Sequence, residues 1–182
     1  MPVDHQKWKS RTKESILVKK PWFEVFREEI QLPDGKVIPE YYEIEMPHYC
    51  AVFAVTVDQK IIVLRCYRHA IGEVTLTMPG GMIEKGESPL EGIRREFLEE
   101  TGFVAKEWKP LGTFVGNSTR GCGTYHFFFA TGAYPVQEPN SGDLEELELL
   151  LWSKKEVEQA LNTGRAQSIG VLSMLLLGLR CL

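Results

Sequence analysis

Three glutamates, Glu96, Glu99 and Glu100, stand at positions i, i+3 and i+4 of one short segment. On a helix those positions share a face. Like charges stacked this way weaken an isolated helix by about 0.2–0.5 kcal/mol per pair. Such a face is either well solvated or holds a cation. Glu87 lies in the preceding segment, within reach of the same place. Hard cations such as Mg²⁺ take several oxygen ligands, usually carboxylates together with substrate phosphate. Arg95, four residues before Glu99, is spaced to pair with it and to orient a carboxylate without titrating away. Pro79-Gly80-Gly81 sets open backbone before the helix, where carbonyls or amides approach an ion or phosphate closely. For an isolated E-x-x-E-E, a solvated charged face is the plainer reading, so the whole pattern has to be explained together.

The elements that position these groups are legible around them. Ser88-Pro89-Leu90-Glu91 is a capping box with proline at the first helical position, where its missing N–H costs nothing. Leu90, Ile93 and Phe97 recur at helical spacing as a core stripe, and Gly102 supplies the stop. Upstream, Tyr49–Val57 and Ile61–Tyr67 are almost continuously apolar and β-branched, as strands buried on both faces are. Residues 78–88, rich in glycine, proline and charge, read as a loop. Strands are predicted again at Trp108–Val115, Thr124–Ala130 and Glu146–Trp152. Ser153-Lys154-Lys155-Glu156 is a second capping box, opening a helix with Val157, Ala160 and Leu161 that ends at Gly164; a last helix runs from about Ser168 to Arg180. Residues 15–45 read as an antiparallel hairpin about the turn Leu32-Pro33-Asp34-Gly35-Lys36. The pattern predicts a mixed α/β (α+β) layered fold.

Taken whole, residues 81–103 read Gly81, five residues, Glu87, seven residues, Arg95-Glu96, Phe97, one residue, Glu99-Glu100, one residue, Gly102, Phe103. This resembles the Nudix box, G-x5-E-x7-R-E-U-x-E-E-x-G-U with U apolar. Every fixed position matches; Phe97 and Phe103 fill apolar sites that are usually aliphatic. The resemblance implies a Nudix-type α/β/α sandwich with a mixed β-sheet. It also implies cleavage of a nucleoside diphosphate linked to another moiety, water attacking one phosphorus while Mg²⁺, or Mn²⁺ in its place, neutralises the developing charge. By position, Glu96 and Glu100 are the implied direct metal ligands, and the Gly80 carbonyl completes the site. Glu99 is a ligand, directly or through water, or the base. Glu87 is structural or an outer ligand, and Arg95 orients the glutamates. Gly81 and Gly102 are box glycines.

Beyond the box, the chain resembles the ADP-ribose pyrophosphatase branch of that family over about residues 15 to 180. Val63-Leu-Arg-Cys-Tyr-Arg-His-Ala is similar to that branch's strand end, and Pro21-Trp-Phe-Glu-Val with Leu32-Pro-Asp-Gly-Lys to its N-terminal extension, which in those enzymes helps form a swapped dimer. Gly142-Asp-Leu-Glu-Glu-Leu-Glu and the two helices after it also fit. The resemblance therefore implies two regions: residues 1–47 as a hairpin extension that dimerises the protein, and residues 48–182 as the hydrolase domain. It implies hydrolysis of ADP-ribose to AMP and ribose 5-phosphate, or of a related nucleotide sugar. Two features keep other substrates open. Thr77 stands where the branch has glutamate, and Phe114–Gly123, a loop expected at the substrate's terminal moiety and able to move over residues 116–123, lacks the branch's proline. Hydrolysis of nucleoside triphosphates or dinucleoside polyphosphates is the alternative; a non-catalytic nucleotide-sensing module is a further one. Outside the box, Arg68 at a strand end is a candidate for the substrate diphosphate, Trp22 or Phe23 for stacking a base across a dimer, Arg120 for a phosphate, and Glu145 or Glu146 for a general base. The bland readings are a strand-end ion pair, interface packing and a solvated loop. His126 reads as a satisfied strand histidine.

Composition narrows the partners. The 182 residues carry 21 Lys and Arg against 25 Asp and Glu, a net charge of −4. This lacks the basic surplus of a protein that binds polymeric nucleic acid. Six of those acids fall between Glu84 and Glu100 against three bases, Lys85, Arg94 and Arg95, a local excess suited to a divalent ion. The N-terminal residues are polar, and the apolar run Ile169–Leu179 is shorter than the roughly 20 residues of a bilayer span, so a membrane is not expected. Cys50, Cys66, Cys122 and Cys181 form no C-x-x-C pair and read as free thiols in a reducing cytoplasm.

Overall fold

The computed structural model of the chain describes residues 7–142 and 146–182. Its chain divides into two compact units.

The first unit runs to Pro47 and takes in residues 115–124. It is a three-stranded antiparallel meander of β1 (Lys9–Lys19), β2 (Phe23–Gln31) and β3 (Val37–Glu45). The predicted hairpin is β2 with β3. At its turn the Gly35 amide donates to the Leu32 carbonyl at 2.9 Å and Lys36 N to Asp34 Oδ1 at 2.9 Å; Gly35 adopts φ 88°, which its missing Cβ permits. Strand β1 is an addition to the sequence expectation. All eleven of its residues are exposed, so no buried face imposes the alternation that marks a strand. Lys13 on β1 bridges Glu28 at 3.1 Å and Glu43 at 2.7 Å, pinning all three strands together. Residues 115–124 contribute the tip of a hairpin: Gly121 pairs in parallel with Ile44, whose amide donates to the Arg120 carbonyl at 2.7 Å.

The second unit holds residues 48–114 and 125–182. Its strands are β4 (His48–Thr56), β5 (Ile61–Arg68), β6 (Glu73–Thr77), β7 (Gly80–Met82), β8 (Phe103–Val104), most of β9 (Glu107–Asn117) and β10 (Gly121–Pro135), and β11 (Glu148–Trp152). Its helices are α1 (Pro89–Thr101), α2 (Lys154–Asn162) and α3 (Ile169–Leu179). Strand β5 pairs antiparallel with β4, β6 and β11, and β4 also pairs with β7 and β10. Two sequence expectations change here. The glycine-rich stretch after Met78 is not all loop, because Gly80, Gly81 and Met82 pair with Ala51, Cys50 and Tyr49. The expected loop after Phe114 is instead strand up to Asn117 and again from Gly121, leaving only a turn between.

The continuous apolar look of β4 has a direct cause. Phe53 and Val55 pack into one core with Phe127, Phe129, α2 residues Val157 and Ala160, and α3 residues Val171, Met174 and Leu175. Cys50, Val52 and Ala54 face the other way, into a core with Ile62, Phe128 and α1 residues Ile93 and Phe97. Helices thus cover both faces of this sheet, a mixed α+β sandwich. Ile93 and Phe97 are fully buried, which contributes about 1.5–3 kcal/mol each and fixes the rotation of α1. No helix among the described residues is long and apolar enough to cross a membrane.

Candidate active site

Helix α1 begins as its capping box dictates: Glu91 N donates to Ser88 Oγ at 3.3 Å and Ser88 N to Glu91 Oε2 at 2.8 Å. It ends on Gly102, left-handed at φ 73°, whose amide donates to the Leu98 carbonyl. With one face of α1 held by Ile93 and Phe97, the glutamates are carried toward β7 and the segment that follows it.

Arg95 organises them. Its Nε and Nη2 grip Glu87 bidentately at 2.8 and 3.0 Å. Its Nη1 donates to Glu96 at 2.9 Å and Glu99 at 3.2 Å, and Nη2 also donates to the Met82 carbonyl at 3.1 Å. Lysine, with three donors on one nitrogen, has no equivalent geometry. The guanidinium, and after it the Glu84 amide, hold the Glu87 carboxyl down at about 2. Bonding to Glu87 in turn raises the Arg95 guanidinium above its ordinary value.

The remaining carboxylate goes to the backbone. Glu100 is nearly buried, and its Oε2 accepts from the Gly80 amide at 2.7 Å. Two glycines make room for this. A Cβ on Gly80 would run into the Cys50 carbonyl, and its φ of 150° suits glycine alone. A Cβ on Gly81 would lie 2.5 Å from the Glu96 carboxylate. Cys50 sits just behind, its thiol 3.6 Å from the Gly81 carbonyl and pushed up to about 11 by burial, which makes it inert packing.

Gly80 and box residues Gly81, Glu87, Arg95, Glu96, Glu99 and Glu100 are thus brought together by hydrogen bonds and packing. Among the described residues, no three Asp, Glu, His or Cys side chains converge as a preassembled cation cage; Arg95 draws Glu87, Glu96 and Glu99 onto itself. The donor set nonetheless fits a hard divalent ion. It is all carboxylate oxygen, without a soft ligand, and three carboxylates share one guanidinium while the fourth is buried.

The residues outside the box are placed as follows. Arg68 ends β5, and its Nη2 lies 3.4 Å from Thr77 Oγ1, a contact between positions nine apart that sequence spacing does not signal. Glu146 is exposed ahead of β11, in an open hollow with Arg65, Tyr67 and Val74. Glu145 lies outside the described residues. In the first unit, Trp22 is exposed in the turn before β2 and Phe23 is half-buried at its start. Arg120 stacks over Tyr41 at 5.3 Å and donates to the Tyr42 carbonyl at 3.2 Å. His126 is hydrogen-bonded as expected, to Thr113 Oγ1 and to His48, each at 3.2 Å; His48 lies 78 residues away, a partner that sequence spacing does not signal.

A model of the NUDIX domain matches residues 46–170. The chain belongs to the NUDIX family. Among the proteins it resembles, an ADP-ribose pyrophosphatase of Bacillus subtilis (strain 168) is 29% identical over 146 residues, covering 80% of this chain and 77% of that one. The methanol dehydrogenase activator of Bacillus methanolicus is 27% identical, covering 74% and 71%. A CMP-5'-(N-acetyl-N-hydroxy-3-aminopropyl)phosphonate hydrolase of Streptomyces rubellomurinus is 27% identical, covering 82% and 74%. The crystal structure of an ADP compounds hydrolase superposes with a TM-score of 0.81 at 23% identity over 94% of this chain and 92% of that one, a likeness of fold. This protein is a Nudix hydrolase related to the ADP-ribose pyrophosphatases.

Proposed function

We propose that the protein hydrolyses the diphosphate bond of a nucleoside diphosphate linked to another moiety, with Mg²⁺, or Mn²⁺ in its place, and that ADP-ribose, giving AMP and ribose 5-phosphate, is the first candidate. The observation that carries this is the clamp: one guanidinium holding Glu87, Glu96 and Glu99 beside a Glu100 anchored on Gly80. Relatedness to an ADP-ribose pyrophosphatase over 80% of the chain supports the substrate.

Glu96, Glu100 and the Gly80 carbonyl would hold the ion, with Glu99 a further ligand or the base and Glu87 outside. The bound ion supplies charge neutralisation on the phosphate oxygens and lowers the pKa of water. Arg95 keeps the carboxylates aimed, and Glu87 keeps Arg95 in place. Arg68 takes a phosphate oxygen, a role its place at the end of β5 supports. Arg120 contacts phosphate, Trp22 or Phe23 stacks a base across a homodimer formed through the N-terminal meander, and Glu145 or Glu146 positions the attacking water. The enzyme works in the cytoplasm on small molecules, without nucleic-acid polymers or membranes.

The test is a panel of ADP-ribose, other nucleotide sugars, NADH, dinucleoside polyphosphates and nucleoside triphosphates, with and without Mg²⁺. Metal-dependent release of AMP from ADP-ribose is expected; no turnover of any compound sinks the proposal. A second reading, hydrolysis of triphosphates or dinucleoside polyphosphates, is favoured by Thr77, which faces Arg68 with a neutral hydroxyl where the related branch has a carboxylate. Tight nucleotide binding without turnover would instead mark a sensing module.

A further inference from the structure

Strand alternation sends Tyr49 and Ala51 of β4 to the face of the sheet that α3 covers, alongside Phe53. Tyr125 and Phe127 of β10 share that face. The two tyrosine rings stand nearly parallel, 5.5 Å between centroids and 21° between planes. Between them and α3 lies a cavity of about 160 Å³, closed on the helix side by Val171 and Met174. Gly80 and Gly81 form part of its wall, and these are the glycines that touch Glu100 and Glu96. The cavity therefore adjoins the carboxylate cluster through shared backbone.

Size and chemistry select the occupant. A cavity of about 150 Å³ accepts a single benzene-sized ring, while a whole drug-sized ligand takes about 300 Å³ or more. The walls are mainly aromatic and aliphatic, with Thr77 and the Gly80–Gly81 backbone among them. A sugar placed against these walls would lose water from more hydroxyls than the few polar groups there can bond. A flat ring stacks on tyrosine instead and needs only edge contacts. Such contacts are at hand where α3 begins: Ser168, whose side chain makes no capping bond, and Gly170 both line the cavity.

We propose that this cavity is a subsite for a single six-membered heteroaromatic ring, a pyridine or pyrimidine, on the nucleotide whose diphosphate lies at the box carboxylates; the inference rests on the reading of those carboxylates given above. Tyr125 and Tyr49 are its specificity-determining residues. The cavity would then favour substrates that bring such a ring to this side of the diphosphate over those that bring a bare sugar.

Calorimetric binding of nicotinamide mononucleotide, CMP, AMP and ribose 5-phosphate to the intact protein, in Mg²⁺ buffer, tests it. Nicotinamide mononucleotide and CMP should bind at least about tenfold more tightly than ribose 5-phosphate, within the range of one base–aromatic stack. Tyr125→Leu should remove that advantage and Tyr125→Phe should keep it; circular dichroism on both variants separates lost stacking from lost fold. Filling the cavity with Ala51→Leu should abolish the advantage while leaving both tyrosines in place. Equal binding of CMP and ribose 5-phosphate overturns the proposal, as does AMP binding more tightly than either single-ring nucleotide. Monophosphates are bound here, not hydrolysed, so failure of every diphosphate to turn over leaves this readout intact. A lost ring preference with hydrolysis intact removes the subsite alone.

Discussion

The Glu100 carboxylate accepts its hydrogen bond from the Gly80 amide, 2.7 Å away and twenty residues earlier in the chain. That bond ties the last turn of α1 to the short strand β7, and so ties the helix carrying the carboxylates to the backbone whose carbonyl is proposed to complete the metal site.

Glu100→Gln keeps an oxygen for the Gly80 amide but removes the charge. The fold should persist, with Tm within a few degrees of the parent. Steady-state kinetics on ADP-ribose should show kcat lower by roughly 100-fold or more, a barrier increase of about 3 kcal/mol. Near-normal rates would remove Glu100 from the metal site.

Gly80→Ala tests the backbone beneath it. The added Cβ meets the Cys50 carbonyl, and a φ of 150° is one that L residues rarely adopt. Neither neighbour is a flexible side chain that could swing away. Denaturant unfolding should show a loss of about 2 kcal/mol or more. An unchanged midpoint would mean that the β4–β7 pairing is not needed for stability.

Arg95→Ala leaves Glu87, Glu96 and Glu99 without their shared guanidinium. The variant should melt earlier than the parent in chelator. Mg²⁺ should then raise its Tm by more than it raises the parent's, because the ion relieves repulsion that Arg95 otherwise screens. Arg95→Lys should resemble Arg95→Ala in activity, since one ammonium cannot reproduce the bidentate grip on Glu87 together with the bonds to Glu96 and Glu99. Equal Tm gains with and without Arg95 would argue against an ion at these carboxylates.

His126 gives a pH signature separate from the box. Burial first, and then the charge of His48, lowers its pKa below the ordinary value of 6.5. Below 6.5 the unfolded chain takes up a proton that the folded chain resists, so this group's contribution to stability is complete above pH 6.5 and falls as pH drops from there toward the folded pKa. His126→Gln should flatten the decline of unfolding free energy as pH falls below about 6.5. An identical pH profile would show that His126 protonates freely in the folded state.

What could be read from the sequence follows from where burial and spacing leave a mark. Helix α1 was legible because Ser88, Ile93, Phe97 and Gly102 each answer a local rule. Strands β4 and β5 were legible because both their faces are buried. Strand β1 was not, since an exposed strand such as Lys9–Lys19 carries no apolar alternation. Strand β7 was hidden because two of its three residues are glycines that read as loop. Within the site, the i,i+4 spacing of Arg95 and Glu99 announced one of its contacts. The grip on Glu87 and the bond to the Met82 carbonyl depend on how the segment after β7 closes over α1, and Arg68 reaches Thr77 only through the β5–β6 pairing. Such contacts are products of tertiary closure and have no local signature.

Metal-dependent cleavage of a diphosphate is proposed at the carboxylates that Arg95 gathers. Phosphorus NMR of the protein with ADP-ribose, first in chelator and then with excess Mg²⁺, tests it most directly. The diphosphate resonances should persist in chelator and be replaced, once Mg²⁺ is added, by two phosphomonoester resonances, those of AMP and ribose 5-phosphate. Diphosphate resonances that persist with Mg²⁺, for ADP-ribose and for every other compound of the panel, would contradict it.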